Sequence, residues 1–323
     1  MILHKIAQKI SAPLMNSRVL FDGACQNSVF VFNYHEISDQ PSEFSNDFGL
    51  NVPPTLLKKQ LSWIKKYFQV ISPTQLINNT LNLPVALITF DDGFASTFKA
   101  GGPILRDEAV TGTVFVNMAP VEGHIFWSGL VTYLCKYFSE FNHYLAEKYP
   151  KYNENLFLYC TEEDVHKFLM NKNSLDIYDQ ARKYYGKFAS QDDLVLSAEQ
   201  GFFLGNHLYN HYNSVNIAID ELKNQYLTNE KALLNYVNHV NFFSYPFGQP
   251  ESCYNRQTDD LIFSLGATRI FTAFALPNKD HKAPKLHRIS MNSHIDNEIS
   301  FKYNCLMPAF YNSYFSRTKF SYV

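Results

Sequence analysis

The sequence predicts an α/β barrel that carries a helical insertion, and three observations support this fold class. Short, mostly apolar runs typical of strands buried in a parallel sheet recur along the chain, with helical patterns between them. About seven such units are visible, and no glycine-rich dinucleotide loop follows any of them, which favours a barrel over a doubly wound sheet. One connection of more than eighty residues is too long for a loop and indicates an insertion within a single domain of residues 1–323.

The predicted elements follow in chain order. Strands are predicted at residues 28–34, 84–90, 111–117, 201–206, 240–246, 270–275 and 287–291. Helices are predicted at residues 53–68, 96–108 and 217–238. The insertion, at about residues 127–195, has apolar residues at helical spacing and a capped-helix start in TEEDVHKFLM, so it is expected to be helical. Residues 2–10 fit a short basic amphipathic helix that either caps the bottom of the barrel or contacts a membrane surface.

Composition and charge exclude several classes of protein. The net charge of −2 at pH 7 and the charged fraction of 18% provide no basic surface for nucleic acid, so no nucleic-acid partner is expected. The five cysteines are scattered and include no C-x-x-C pair, which indicates a reducing compartment. The sequence shows neither the apolar core of a signal peptide nor a membrane-spanning run, so a cytoplasmic protein is expected, with peripheral membrane contact as the alternative.

Four polar clusters follow predicted strands. They are NYHEI (33–37), TFDDG (89–93), GNHLYNH (205–211) and SYPFG (244–248). In a parallel barrel the carboxyl ends of all strands meet at one face, and that face carries the catalytic residues. The four clusters are therefore expected to converge on one site.

The histidines and the paired acids suggest a metal site. His207 and His211 are four residues apart, a spacing that directs both imidazoles at one point if the chain turns helically there. A carboxylate from Asp91 or Asp92 would complete a set of two histidines and one acid, which is typical of a catalytic zinc site. The other aspartate can then accept a proton from water that the ion activates. Taken alone, Asp-Asp-Gly also fits a simple turn.

In this order the clusters resemble the motifs of the NodB-homology polysaccharide deacetylases. TFDDG matches the first motif of that family residue for residue. HLYNH matches the second, His-Ser/Thr-x-x-His, except that Leu208 replaces the hydroxyl residue. SYPFG is similar to the third, Arg-x-Pro-Tyr/Phe, with Ser244 in place of arginine. The resemblance extends from about residue 28 to residue 291 and omits the insertion.

The resemblance implies the family's irregular (β/α)7 barrel and a role for each matching residue. Asp91 would be the general base. The backbone N–H of Tyr245 would stabilise the oxyanion together with the ion, and Phe247 would shape the groove. The divalent ion, zinc or cobalt, would be held by Asp92, His207 and His211.

The general acid has two candidates. NYHEIS matches a Tyr-His-x-Ile element found in a subset of exopolysaccharide deacetylases, whose histidine donates the proton, and this favours His35. The alternative is His287, which follows Leu286 directly and matches the family's late Leu-x-His motif poorly. Arg288 is expected to supply, from another direction, the charge that is missing at Ser244, with a surface or pairing role as the alternative.

The expected function is that of a metal-dependent hydrolase that removes an N-acetyl group from an amino sugar. The substrate would be a cell-surface glycan or its cytoplasmic precursor. His124 and Trp127 open the insertion near the same face and are candidates to contact the sugar, with ordinary packing as the alternative. Two other functions stay open, namely a carbohydrate-binding relative without catalysis and a deformylase or deacylase of a non-sugar amide.

Overall fold

The structure is a computed structural model that describes residues 17–78, 81–150, 155–170 and 172–315. Its strands are β1 (Val29–Tyr34), β2 (Glu36–Ile37), β3 (Asn51–Val52), β4 (Gln69–Val70), β5 (Val85–Phe90), β6 (Gly112–Val116), β7 (Phe202–Asn206), β8 (His239–Ser244), β9 (Arg269–Thr272), β10 (Lys285–His287) and β11 (Ile289–Ser290). The amphipathic helix predicted at residues 2–10 lies outside the described residues.

Helices surround the strands. They are α1 (Arg18–Cys25), α2 (Glu43–Phe48), α3 (Pro54–Tyr67), α4 (Pro73–Ile77), α5 (Gly102–Asp107), α6 (Met118–Val121), α7 (Trp127–Tyr137), α8 (Ser139–Lys148), α9 (Glu162–Leu169), α10 (Ser174–Tyr185), α11 (Gln191–Leu196), α12 (Ile219–Leu233), α13 (Arg256–Ser264) and α14 (Glu298–Phe315). A π-helical turn spans Thr97–Gly101, and 3-10 turns span Leu156–Leu158 and Ser197–Gln200. Within the described ranges, none of these helices is long and apolar enough to cross a bilayer.

The strands form a mostly parallel sheet that is nearly closed into a barrel, as the sequence predicts. The main path runs β10, β9, β8, β7, β6, β5, β1, β11, and β4 pairs with the start of β5. The strand predicted at 287–291 is two short strands separated by Arg288. Of these, β10 pairs with β9 and β11 pairs with β1. The last strand therefore changes its pairing partner at Arg288 and joins the two edges of the sheet.

The inner face of the barrel changes from apolar to polar toward the carboxyl ends of the strands. Side chains alternate between the two faces of a strand, so residues two apart share a face. Along the inner face the residues are Val29, Val31, Asn33 and His35 on β1 and just beyond it, and Val85, Leu87, Thr89 and Asp91 on β5 and just beyond it. The apolar half packs as the barrel core. The polar half faces a cavity.

The described part of the insertion is helical, and its helices pack around one apolar core. That core includes Leu130 and Phe141, and it also takes in Phe44 of α2 and Phe94, which follows the paired acids. At its end the insertion pairs with the loop after β5, where Ala95 N–H donates to the Lys187 carbonyl and Ala189 N–H donates to the Gly93 carbonyl, each at 2.9 Å. The insertion is thus attached directly to the loop that carries the acids.

Candidate active site and metal centre

A cavity of about 400 Å³ lies at the carboxyl ends of the strands. The structure brings residues from all four polar clusters into its wall, together with the closing strand. These lining residues are Asn33, His35, Asp91, Asp92, His207, His211, Tyr245, Phe247 and Arg288. The opposite wall comes from α2, the loop after it and the insertion, and is largely apolar, with Phe44, Phe48, Leu50, Phe157 and Leu158.

Asp91 is held by a fully buried arginine. Arg288 donates to both carboxylate oxygens of Asp91, with N–O distances of 2.7 Å each. Its guanidinium also donates to Ser244 Oγ at 2.7 Å and to Asn33 Oδ1 at 3.0 Å, while its Nε donates to the Thr272 carbonyl at 3.1 Å. Asn33 Nδ2 donates in turn to Asp91 Oδ2 at 3.1 Å. Ser244 therefore gives the guanidinium room and an acceptor at the position where the family motif carries its own arginine.

This arrangement sets the charge of Asp91. Burial on its own would raise the pKa of the carboxyl, but the charge and hydrogen bonds of Arg288, together with His207 and His35, outweigh burial and hold that pKa below its usual value. The carboxylate is consequently ionised at neutral pH. Two of its hydrogen bonds fix the plane of the group, because a bidentate pair with arginine restrains orientation as well as charge.

Asp92 faces the two histidines. Its Oδ1 lies 3.2 Å from His211 Nε2 and 3.6 Å from His207 Nε2, and one ligand atom from each residue lies within 4.8 Å of the others. All three side chains are buried. Burial would raise the pKa of Asp92, yet the neighbouring imidazoles hold it well below its usual value, while burial lowers the pKa of His211. A neutral imidazole beside an ionised carboxylate is the state that binds a metal.

The donor set fits a divalent ion. His207 Nδ1 lies 2.7 Å from the Ser244 carbonyl, so this nitrogen carries the proton and Nε2 keeps its lone pair. That lone pair faces Asp92 Oδ1, which accepts no hydrogen bond within the described part of the chain. Lone pairs that face one another in a buried site repel unless a cation lies between them. Two imidazoles and one carboxylate also match the ligand types of a catalytic zinc site.

The backbone bends to bring consecutive residues to the same side. Asp92 has φ of 70°, His211 has 59° and Phe247 has 62°, all in the left-handed region that side chains rarely adopt. In a continuing strand Asp91 and Asp92 would point to opposite faces. The left-handed turn at Asp92 lets both acids line the cavity, and strained positions of this kind concentrate at functional sites.

The two candidate acids have different surroundings. His35 lines the cavity, and its Nε2 lies 3.9 Å from Asp91 Oδ2. His287 is absent from the cavity wall, and its Nδ1 lies 2.9 Å from Thr272 Oγ1. Burial lowers the pKa of both histidines, that of His287 to about 4, so the pKa does not separate the two candidates. The geometry therefore favours His35 over His287 as the group that can reach a substrate beside Asp91.

The structure contradicts the oxyanion assignment at Tyr245. The Tyr245 N–H donates to the Phe271 carbonyl at 3.2 Å, so the sheet already uses this donor. The Tyr245 hydroxyl points away to Asp259 and Thr258. Two residues further along the chain, the N–H of Phe247 donates to no acceptor among the described residues. The centroid of the Phe247 ring lies 4.8 Å from that of the His211 ring. Strand pairing extends to Tyr245, which the sequence pattern did not reveal.

The structure places two other candidate residues away from the position that the sequence analysis expected. His124 and Trp127 do not line the central cavity but border an adjoining groove. Asn33 and Phe157 are among the lining residues that the sequence analysis did not single out. Asn33 could have been found, because it shares the inner face of β1 with His35 two positions later. Phe157 lies in the insertion, whose sequence carries no motif that marks it.

A nearly closed parallel barrel with a cavity at the strand ends and a buried set of Asp92, His207 and His211 is typical of hydrolase barrels whose site can hold a divalent ion. The profile of the polysaccharide deacetylase family matches residues 78–270, and the chain belongs to that family. It is therefore a hydrolase of the polysaccharide deacetylase class. A search of curated proteins finds no significant match.

Solved structures share this fold. The Streptococcus pyogenes deacetylase PplD in complex with acetate is 17% identical with a TM-score of 0.56, over 83% of this chain and 94% of that chain. IcaB from Ammonifex degensii is 14% identical with a TM-score of 0.56, over 86% and 97%. A de-N-acetylase from Aggregatibacter actinomycetemcomitans is 15% identical with a TM-score of 0.53, over 80% and 93%. At identities this low, the structural likeness establishes a common fold and no more.

Proposed function

We propose that the protein is a metal-dependent deacetylase that removes the N-acetyl group from an amino sugar of a cell-surface glycan or its precursor. The observation that carries the proposal is that the two adjacent acids have different partners. Asp91 is bound by Arg288 and Asn33, whereas Asp92 faces His207 and His211. One acid is thus available for a proton and the other for an ion.

Asp92, His207 and His211 would hold the ion, and zinc suits this ligand set, with cobalt as the alternative. A bound divalent ion would supply Lewis-acid polarisation of the acyl oxygen and a lowered pKa for water. The Ser244 carbonyl keeps the His207 ring in the required tautomer.

Asp91 is the proposed base. The attacking water gives a proton to the Asp91 carboxylate, which Arg288 keeps ionised and oriented. Ionisation well below neutral pH means that the base is fully available, although its low basicity limits the driving force for each transfer.

His35 is the proposed acid. Attack on the acetyl carbon produces a tetrahedral centre, and its collapse expels the sugar amine, which must gain a proton as the C–N bond breaks. His35 lines the cavity beside Asp91 and can donate that proton from Nε2. Its carbonyl accepts a hydrogen bond from Thr97 Oγ1 at 2.7 Å, which fixes the turn after β1.

The oxyanion requires a donor, and the N–H of Phe247 replaces Tyr245 in this role. A backbone donor aimed at the developing charge contributes most where water is excluded. The Phe247 ring packs against His211 on one side and at 5.9 Å from Phe157 on the other, which shields this corner of the cavity.

Acetate release tests the proposal. Protein loaded with Zn²⁺ or Co²⁺ is incubated with N-acetylglucosamine, its oligomers and a nucleotide-linked N-acetyl sugar, and acetate and free amine are both quantified. We expect stoichiometric acetate and amine, lost on chelation and restored by the ion. A matched panel of formylated and non-sugar amides separates sugar deacetylation from the two other amidase activities.

The control is Asp91→Asn, which retains the metal ligands. The proposal would be contradicted if the unmodified protein released no more acetate than this variant on every substrate. Glycan binding by a protein that contains no metal after reconstitution would favour the non-catalytic relative instead.

A further inference from the structure

Asn117 lies at the carboxyl end of β6, between the two strands whose ends carry the candidate metal ligands. In the sheet β6 is flanked by β5, which leads to Asp92, and by β7, which leads to His207. The last residues of β6 and β7 pair with each other, so Asn117 and His207, which follow them, lie side by side. Asn117 is fully buried, and it belongs to none of the four polar clusters.

Asn117 bonds to the backbone of both ligand segments. Its Nδ2 donates to the carbonyl of His207 and, at 2.8 Å, to the carbonyl of Leu208. Its backbone N–H donates to the Asp92 carbonyl at the long N–O distance of 3.5 Å. One residue therefore connects the segment that carries the acids with the segment that carries the histidines.

Two of these carbonyls belong to residues in the left-handed region of the backbone. The φ angle is 70° at Asp92 and 60° at Leu208. A chain that turns in this way leaves the ladder of the sheet, and its buried carbonyls then need another donor, because a buried carbonyl without a partner is costly. Backbone positions of this kind persist only where surrounding contacts hold them. Asn117 supplies such a contact to both residues.

Leu208 occupies the position at which the family motif carries a hydroxyl residue. Its side chain has no polar atom and packs in an apolar cluster with Leu222 and Tyr226. The hydrogen bonds at this position are made by the backbone. The Leu208 N–H donates to Asn206 Oδ1 at 3.0 Å, and the Leu208 carbonyl accepts from Asn117.

We propose that Asn117 is a positioning residue of the metal centre, which fixes Asp92 and the histidine loop relative to each other so that their side chains meet at one point. The inference rests on the proposed function, since it takes Asp92 and His207 to be ligands of an ion. Asn117 does not line the central cavity, so it acts through the ligand segments and not on the substrate. Loss of its amide should weaken ion binding although every ligand side chain remains.

The test compares two buried asparagines. Asn117→Leu removes the donors and keeps the branched shape of the side chain. Asn238→Leu is the matched control, because Asn238 Nδ2 also donates to two acceptors, the Phe202 carbonyl and Ser197 Oγ, both at 2.8 Å. These bonds lie at the amino ends of β7 and β8, away from the candidate metal centre.

Three quantities are measured for each protein. Competition with a chromophoric chelator gives the affinity for zinc, the absorption spectrum of bound Co²⁺ reports the geometry of the ligands, and urea denaturation of the metal-free protein reports stability. If Asn117→Leu does not fold, Asn117→Ser, whose side chain is too short to reach both carbonyls, is measured in its place.

We expect both substitutions to lower the urea midpoint, since each leaves buried acceptors without their donor. Asn117→Leu should in addition weaken zinc binding by about tenfold, the lower end of the ~10–100-fold range for groups that orient a metal ligand, and should change the Co²⁺ spectrum. Asn238→Leu should leave the zinc affinity and the spectrum as they are in the unmodified protein.

The outcomes separate the two proposals. An unchanged zinc affinity and Co²⁺ spectrum in the folded Asn117 variant would overturn the positioning role and leave the proposed function standing. An equal loss of affinity in Asn238→Leu would also overturn that role, because any loosening of the barrel would then suffice. Zinc binding without acetate release by the unmodified protein would overturn the deacetylase alone, and unmodified protein that binds neither ion would overturn both proposals.

Discussion

Arg288 reaches Asp91 from the point at which the closing strand of the barrel is interrupted. Its side chain is fully buried, and both N–O distances are 2.7 Å. The break between β10 and β11 places this residue beside both sheet edges at once, within reach of Asn33 on β1 and Ser244 on β8. One cation therefore connects barrel closure with the ionisation of the proposed base.

Arg288→Met should shift the pH dependence of turnover. Arg288 lowers the pKa of Asp91, so its removal leaves burial dominant and raises that pKa. A base must be deprotonated, and the acid limb of the profile of kcat/KM against pH should consequently move to higher pH. Because Asp91 is left buried and unpaired, we also expect a loss of about 3–5 kcal/mol in the free energy of unfolding.

If Arg288→Met does not fold, Arg288→Lys is measured in its place. Arg269→Met on β9, outside the cavity wall, is the matched control. An acid limb that stays in place in folded Arg288→Met would mean that Asp91 does not act as the base.

Asp92→Asn should lose metal, whereas Asp91→Asn should retain it. Asp92 contributes an oxygen to the donor set, and replacing it by an amide removes a charged ligand. The affinity for zinc should fall by more than ~10–100-fold, which is the usual loss when a residue that only hydrogen-bonds to a metal ligand is removed. Metal content after dialysis against buffered zinc, measured by mass spectrometry, checks the pair. The reverse pattern would show that the two acids exchange roles.

His35→Ala should reduce kcat on an N-acetyl sugar by about 10²–10⁴-fold, the usual contribution of a general acid. The loss should nearly vanish on 4-nitrophenyl acetate, whose leaving group departs without a proton. His287→Ala should cost little on either substrate, because His287 bonds Thr272 outside the cavity wall. Equal losses for both variants on the sugar, or an equal loss for His35→Ala on both substrates, would remove His35 from the role.

Leu208→Ser restores the hydroxyl residue of the family motif and should destabilise the protein by about 2–5 kcal/mol. Leu208 is fully buried and packs in a cluster with Leu222 and Tyr226, so the substitution opens a cavity and buries a hydroxyl. Chemical denaturation measures the change, and the volume-conserving Leu208→Met should cost less than about 1.5 kcal/mol. A gain in stability or in metal affinity for Leu208→Ser would indicate that Leu208 marks a decayed site.

Periodicity in the sequence predicts the barrel well, because strands buried on both faces leave apolar runs and their carboxyl ends carry the polar clusters. The convergence of His35, Asp91 and His207 follows from that topology alone. Hydrogen bonding across the sheet is less visible, which is why Tyr245 was wrong: its N–H belongs to the ladder with Phe271. The contribution of Arg288 depends on a strand break that no periodicity reveals.

The insertion is fixed to the loops of the candidate metal centre at both of its ends. Phe126, just before α7, packs edge-on against His211 with ring centroids 5.3 Å apart, and residues 187–189 pair with residues 93–95. The described residues between these two attachments build an apolar core that also takes in Phe44 and Phe94. The segment from 127 to 186 therefore rests on the loops that carry the acids and the histidines, and through Phe157 and Leu158 it forms part of the cavity wall. A change in this segment alters the wall that a substrate meets, while the residues proposed for the chemistry stay on the barrel.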